Sequence, residues 1–399
     1  MKPITRRDFG RLAALSALGV ALPVRGQEQA SSVTARIYVG TFTEGPNAGI
    51  YQGKSLGIYR LSLNVQTGML TPEGEATVSA NPTYLTTHPS GRFLYAVNEV
   101  AEIDGQPGGG MSAFAIAPET GDLEMINQVS TQGTWPCFVA VEPTGRVALV
   151  ANYLSGSVSV LPIESDGRLG EVTDIVQYEG SGADPQRQEG PHAHCIVPDA
   201  AGSFVFSADL GTDRLMAFGL DADRGKLIPH EIPFVKSVAG SGSRIFRFHP
   251  SGKWGYLLHE LDSTLVVFSY DSKSGTLQEM QTLSTLPKGH GGPNWAADIQ
   301  VSPEGDHVYT SNRGNDTIAV FSVDLITGLL ELAGHEPSRG IAPRSFAFEP
   351  EGRFAVVANQ FTNDVLTLAR DPSTGLLSLP MVPPLTVYCP SCICIPDAG

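Results

Sequence analysis

Residues 249–260 read HPSGKWGYLLHE: a turn closed at Gly252, then an apolar strand that ends on the charged Glu260. The same unit recurs as HPSGRFLYAVNE from His88, EPTGRVALVANY from Glu142, PDAAGSFVFSADL from Pro198, SPEGDHVYTSNR from Ser302 and EPEGRFAVVANQ from Glu349. The turn glycines Gly91, Gly145, Gly202, Gly252, Gly305 and Gly352 lie 47 to 57 residues apart. A fixed period of about 50 residues marks a propeller or a solenoid. A seventh, turnless copy, ARIYVGTFTEG, begins at Ala35.

A second pattern places Gly before Leu in an outer hairpin turn and occurs seven times, as QTGML, ETGDL, SDGRL, DRGKL, KSGTL, ITGLL and STGLL. Glycine there supplies positive φ without steric cost. A third pattern, a short apolar strand as in WPCFVAVEP and SRIFRFHP, precedes each of the six complete copies, but the copy at Ala35 has none before it. PSCICIPDAG, residues 390–399, matches GPHAHCIVPDAAG in its order of apolar and turn residues. The C-terminus is therefore expected to give its strand to the blade begun at Ala35. The prediction is an all-β, seven-bladed propeller of four-stranded blades over residues 35–399, closed by its last strand so that no sheet edge is left open. A β-solenoid would need no such complementary ends.

The first 26 residues carry Arg6-Arg7 ahead of Phe9 and an apolar run from Ala13 to Val24, too short to span a bilayer but suited to a signal. The segment resembles the twin-arginine export signal of bacteria. It implies a twin-arginine signal peptide over residues 1–26, a linker over 27–34, the export machinery as a partner and a periplasmic or secreted protein. Without it, 21 basic residues face 40 acidic ones, a net charge near −19. Such a surface repels nucleic acid and anionic lipid, so an anionic substrate needs a local arginine cluster. The five cysteines are Cys137, Cys195, Cys389, Cys392 and Cys394. Cys389 and Cys392 have C-x-x-C spacing but no second pair, which predicts small strand residues with room for one disulfide and no metal site.

In a propeller blade the inner strand and its neighbour run antiparallel, so the start of one and the end of the other share a mouth of the channel. Arg244 and Glu260 are symmetric about Gly252 and are expected to be cross-strand neighbours there. The second-strand ring then holds Thr41, Glu99, Tyr153, Leu210, Glu260, Arg313 and Gln360. The first-strand ring, counted back from the turns, holds Thr83, Cys137, His192, Arg244, Ala297, Arg344 and Ser391, with His194 one layer deeper. Three arginines, two glutamates and a histidine would converge on one patch, the expected place for an anion-binding pocket.

GPHAHCIV, SADLGTDRLMAFGLD, HELDSTLVVFSYD and VVANQFTNDVLTLARD, with the segment from Ala296 to Asp324, resemble the lactonase family of seven-bladed propellers. That family includes bacterial 6-phosphogluconolactonases and fungal enzymes that lactonise carboxylated cis,cis-muconate. The resemblance implies a cofactor-independent lactone hydrolase with His192, Arg244, Glu260 and Arg313 as catalytic residues, and the substrate a small sugar-derived or carboxylated lactone. His194, Glu99, Asp298 and Arg344 are the expected substrate contacts. Two positions depart from the family pattern, Ser243-Arg244-Ile245 in place of Pro-Arg-His and His259 in place of Asn. An arginine would stabilise the oxyanion of ring opening while His192 activates water and Glu260 orients a partner. An acyl-enzyme is not expected. The rival reading is a non-catalytic propeller that binds a protein or a small anion, since the scaffold alone implies no activity.

Overall fold

The computed structural model describes residues 34–103 and 105–396. Residues 1–26, read as the signal, and all of the 27–34 linker except Thr34 lie outside the described residues. Apart from a short pair, Glu102–Ile103 with Gln106–Pro107, the strands form seven sheets of four strands about one axis, with the outer strand broken in two in the first and seventh blades. From the channel outward, blade 5 runs Ser243–Phe248, Trp254–His259, Thr264–Asp271 and Thr276–Ser284, and blades 2, 3, 4, 6 and 7 follow the same path. The second strands are buried along their whole length in four of these blades, because both of their faces pack on neighbouring sheets. That explains their near-continuous apolar runs.

The first blade joins the two ends of the chain. Pro390–Cys394 pairs antiparallel with Thr34–Thr41, with Tyr38 opposite Cys394 and Val39 opposite Ile393. This inner strand also packs on those of blades 2 and 7, so the ring is closed. Cys137, Cys195, Cys389 and Cys392 are buried with free thiols, and Cys394 is buried too. Among the described residues no disulfide joins those four, and Cys137, Cys195, Cys392 and Cys394 serve as small strand side chains.

Local chemistry fixes each turn. All seven outer-turn glycines have positive φ, from Gly225 at 61° to Gly167 at 86°. They also sit where a Cβ would meet a side chain of the preceding blade, as Gly167 would meet Phe93 at 2.4 Å. Hydroxyl groups stitch one blade to the next through the same turns. Tyr38 donates to the Gly121 carbonyl at 2.8 Å, Tyr95 to Gly167 at 3.0 Å and Tyr309 to Gly375 at 2.9 Å. Thr367 of blade 7 donates to the Gly68 carbonyl of blade 1 at 2.8 Å and so spans the closure. His88 and His249 brace the inner turns, each ring reaching the turn carbonyl of the following blade.

If closure carries the fold, Ile393→Ala, which empties a buried place in the blade 1 core, lowers unfolding stability by about 2–5 kcal/mol in denaturant titration. Deleting residues 390–399 yields no cooperatively folded protein, as read by loss of the thermal transition.

Candidate active site

The site is built where inner strands begin. Five blades enter this strand through a residue in the left-handed region: Asn81, Trp135, Gly242, Ala342 and Cys389, with φ between 39° and 70°. Two residues later the strand bulges in blades 3, 5 and 7, so that Cys137, Arg244 and Arg344 are left out of the ladder and turn into the channel. Arg244 is thus no direct ladder partner of Glu260. The two still meet across the strands, because the Glu260 N–H donates to the Gly242 carbonyl at 2.8 Å and the Arg244 guanidinium bonds the Glu260 carboxylate.

In blade 4 this register corrects the position given to histidine. The bulge falls between Ala193 and Cys195, so His194 is the ring residue and His192 stands two places earlier. Asp199 takes the turn position of His249, since the Gly202 N–H donates to the Asp199 carbonyl as the Gly252 N–H does to that of His249. Its carboxylate caps the same turn by accepting from Ser203 and Phe204. Counting from Asp199 as though it were one of the later turn residues moves the ring to His192. His192 instead lies behind Tyr153, stacked on it at 4.6 Å, with Nδ1 3.1 Å from the Tyr153 carbonyl and Nε2 3.2 Å from Glu189. It holds Tyr153 in place and does not line the cavity.

That cavity, about 310 Å³ in volume, is lined by Glu99, His194, Arg244, Glu260, Arg313 and Arg344. Arg187, Tyr153, Cys137, Asn47, Trp135 and Trp295 complete its wall. Of the predicted residues, Asp298 is not brought there. It lies at the constriction below, where its carboxylate accepts the N–H groups of Ile299 at 2.8 Å and of Phe346, in the next blade, at 3.2 Å. It is a brace between blades 6 and 7.

Glu260 is the electrostatic centre. Arg244 pairs with it, Arg313 is 2.9 Å from the same oxygen and Arg187 is 2.6 Å from the other. Burial opposes ionisation, but the three guanidiniums hold the carboxyl well below its ordinary range. Arg313, buried and crowded by Arg244, is pulled down to about 9. Four guanidiniums face two carboxylates, so the cavity has an excess of positive charge within an acidic protein. Arg344 has no carboxylate within 4 Å among the described residues; its guanidinium lies over the Phe42 ring at 4.9 Å, leaving its donor fork unpaired.

Glu99 differs from Glu260. Thr83 Oγ1 donates to one of its oxygens at 2.5 Å, and the other oxygen is uncommitted. Burial pushes this carboxyl up, against the pull of Arg344 and Thr83. His194 is held neutral, its pKa driven well down by burial and by Arg244. The Cys137 thiol is pushed far up by burial, so it is protonated and no nucleophile. His259, the departure before Glu260, replaces an amide faithfully: its ring bridges the Thr264 and Ser237 hydroxyls at 2.8 and 2.9 Å, much as Asn312 bridges its neighbours.

Residues 36–395 match the family model described as Lactonase, 7-bladed beta-propeller. The chain belongs to the lactonase family. This lactonase-family chain is 32% identical over 358 residues to a 6-phosphogluconolactonase of Bacillus subtilis, covering 90% of this chain and 97% of that one. It is 32% identical over 345 residues to a 6-phosphogluconolactonase of Formosa agariphila, covering 86% and 94%. Among solved structures, the periplasmic gluconolactonase of Pseudomonas aeruginosa superposes with a TM-score of 0.84 at 30% identity, covering 92% of this chain and all of that one.

Arg187, Trp135 and Trp295 escaped the sequence reading. Arg187 belongs to the loop between blades 3 and 4 and has no counterpart in the repeat. Trp135 precedes and Trp295 opens an inner strand, in WPC and NWA, and two of only three tryptophans at equivalent repeat positions was the available signal.

Glu260→Gln removes the buried charge shared by three guanidiniums and is expected to cost about 3–5 kcal/mol of stability at pH 7. Because the folded-state pKa of Glu260 is depressed, its contribution is complete above the ordinary 4.5 and is lost as pH falls below it. Thermal unfolding of both proteins across pH 3–8 should show the difference shrinking towards acid.

Proposed function

We propose that this cavity hydrolyses a small sugar-derived or carboxylated lactone without a cofactor, and the unpaired Arg344 beside a carboxyl of raised pKa carries the reading. The lactone carbonyl oxygen sits against Arg344, with Arg313 as second cation. Water adds to the carbonyl carbon as its proton passes to the free oxygen of Glu99. The oxyanion so formed is stabilised in a buried, positively charged site. Its collapse breaks the ring C–O bond, and Glu99 returns the proton to the departing ring oxygen. The product is the open hydroxy acid. Glu99 suits this exchange better than Glu260, which three cations keep ionised, and better than His194, whose basicity burial suppresses. Arg244, Glu260 and Arg187 hold the cationic wall in shape, and His192 acts one step removed, through Tyr153. A wall of guanidiniums disfavours a cation, so turnover should be unaffected by chelator.

We further infer that the chain is exported through the twin-arginine route. The Arg6-Arg7 segment supports this, and so does the periplasmic relative at 30% identity. Replacing both arginines by lysine is expected to keep the protein in the cytoplasm, read by fractionation.

The activity is tested with a panel of lactones assayed by acid release at constant pH. Glucono-δ-lactone should open well above its spontaneous rate, and Arg344→Gln should lower kcat by about 10²–10³ with the fold intact. No opening of any lactone defeats the proposal. The acid limb of kcat/KM is expected above the ordinary 4.5 of a glutamate and should vanish in Glu99→Gln.

A further inference from the structure

A second chamber, also about 310 Å³, adjoins the arginine cavity. It lies between the loop 42–52 of blade 1 and residues 99–101 of blade 2, and Asn47, Glu99 and Trp135 line both spaces. The two chambers differ in chemistry. The arginine cavity is cationic, whereas the second has no basic side chain in its wall. It presents the Phe42 and Trp135 rings and the side chains of Glu44, Asn47 and Gln52, whose polar groups make no hydrogen bond among the described residues.

Trp135 marks the partition. Five blades place a left-handed residue at this point, and Gly242 and Asn81 supply it cheaply. Trp135 adopts it at φ 52° with a bulky side chain, an outlier that points to a use for the side chain. A flat aromatic face, free amides and a carboxylate with no cation nearby suit a neutral polyhydroxylated ring: its C–H face lies on the indole while its hydroxyls reach the amides and carboxylate.

We propose that the second chamber is a sugar subsite and that the substrate is a glycosylated aldonolactone, the lactone of a disaccharide acid. The lactone ring lies among the arginines, and the neutral sugar passes Trp135 into the second chamber. This rests on the lactonase reading above and names its substrate class.

The test compares kcat/KM for glucono-δ-lactone with those for the δ-lactones of cellobionic and maltobionic acids. At least one disaccharide lactone should be preferred by about tenfold, the gain that one stacked ring supplies. Ala101→Trp and Ala101→Phe, at an exposed position in the chamber wall alone, are expected to abolish the preference while leaving glucono-δ-lactone turnover unchanged. Equal or better use of glucono-δ-lactone, or a preference that survives in both variants, overturns the subsite. In either case the simple lactone is still opened and the lactonase reading stands. If no lactone is opened, that reading falls, and this proposal with it.

Discussion

Closure of the ring is the constraint from which everything else follows. A blade alone exposes two faces and two edges; seven of them around an axis cover one another's faces, and the strand Pro390–Cys394 covers the last edge by pairing with Thr34–Thr41. Only in a closed ring do the starts of seven inner strands stand around one opening. Residues separated by over 240 positions, Glu99 and Arg344, thereby line a single cavity. The hydroxyl bonds from Tyr38, Tyr95, Tyr309 and Thr367 to turn carbonyls of neighbouring blades hold that geometry from the opposite end.

The site itself is a study in unequal carboxylates. Glu260 and Glu99 are both buried and occupy equivalent places at the ends of second strands, yet their surroundings drive them in opposite directions. Three guanidiniums fix Glu260 as an anion, and it in turn keeps three cations from repelling one another. Glu99 is anchored by a neutral hydroxyl and retains an oxygen for chemistry. Environment, not residue type, separates the structural acid from the reactive one.

The architecture was legible in the sequence because each blade repeats the same turn chemistry. Gly252 and its equivalents, the seven outer glycines and the complementary ends specified blade number and closure. The ring of second-strand residues was legible in the six blades whose strand ends are counted from a turn; in the turnless blade 1 the count fell on Thr41, whereas Phe42, whose N–H donates to the Cys389 carbonyl as that of Glu260 does to Gly242, holds the ring position. The first-strand ring was less so. Its members are bulged residues, and in blade 4 the turn is capped by Asp199 instead of histidine, which shifted the count from His194 to His192. Asp298 is on the right strand but lies one residue past Ala297, the ring position of blade 6, and stands opposite Ser311 at the constriction below the cavity. Arg187 lay beyond any repeat argument: an interblade loop has no periodicity to read, and only the folded chain shows it reaching Glu260.

The pairing of the last strand with the first also orders events in time. A ribosome releases Thr34–Thr41 well before Pro390–Cys394, so the first blade waits, incomplete, while the six blades between them are made. The native ring is thus inaccessible to a chain that has not yet delivered this strand, and any quality-control step that senses the finished ring also senses its delivery.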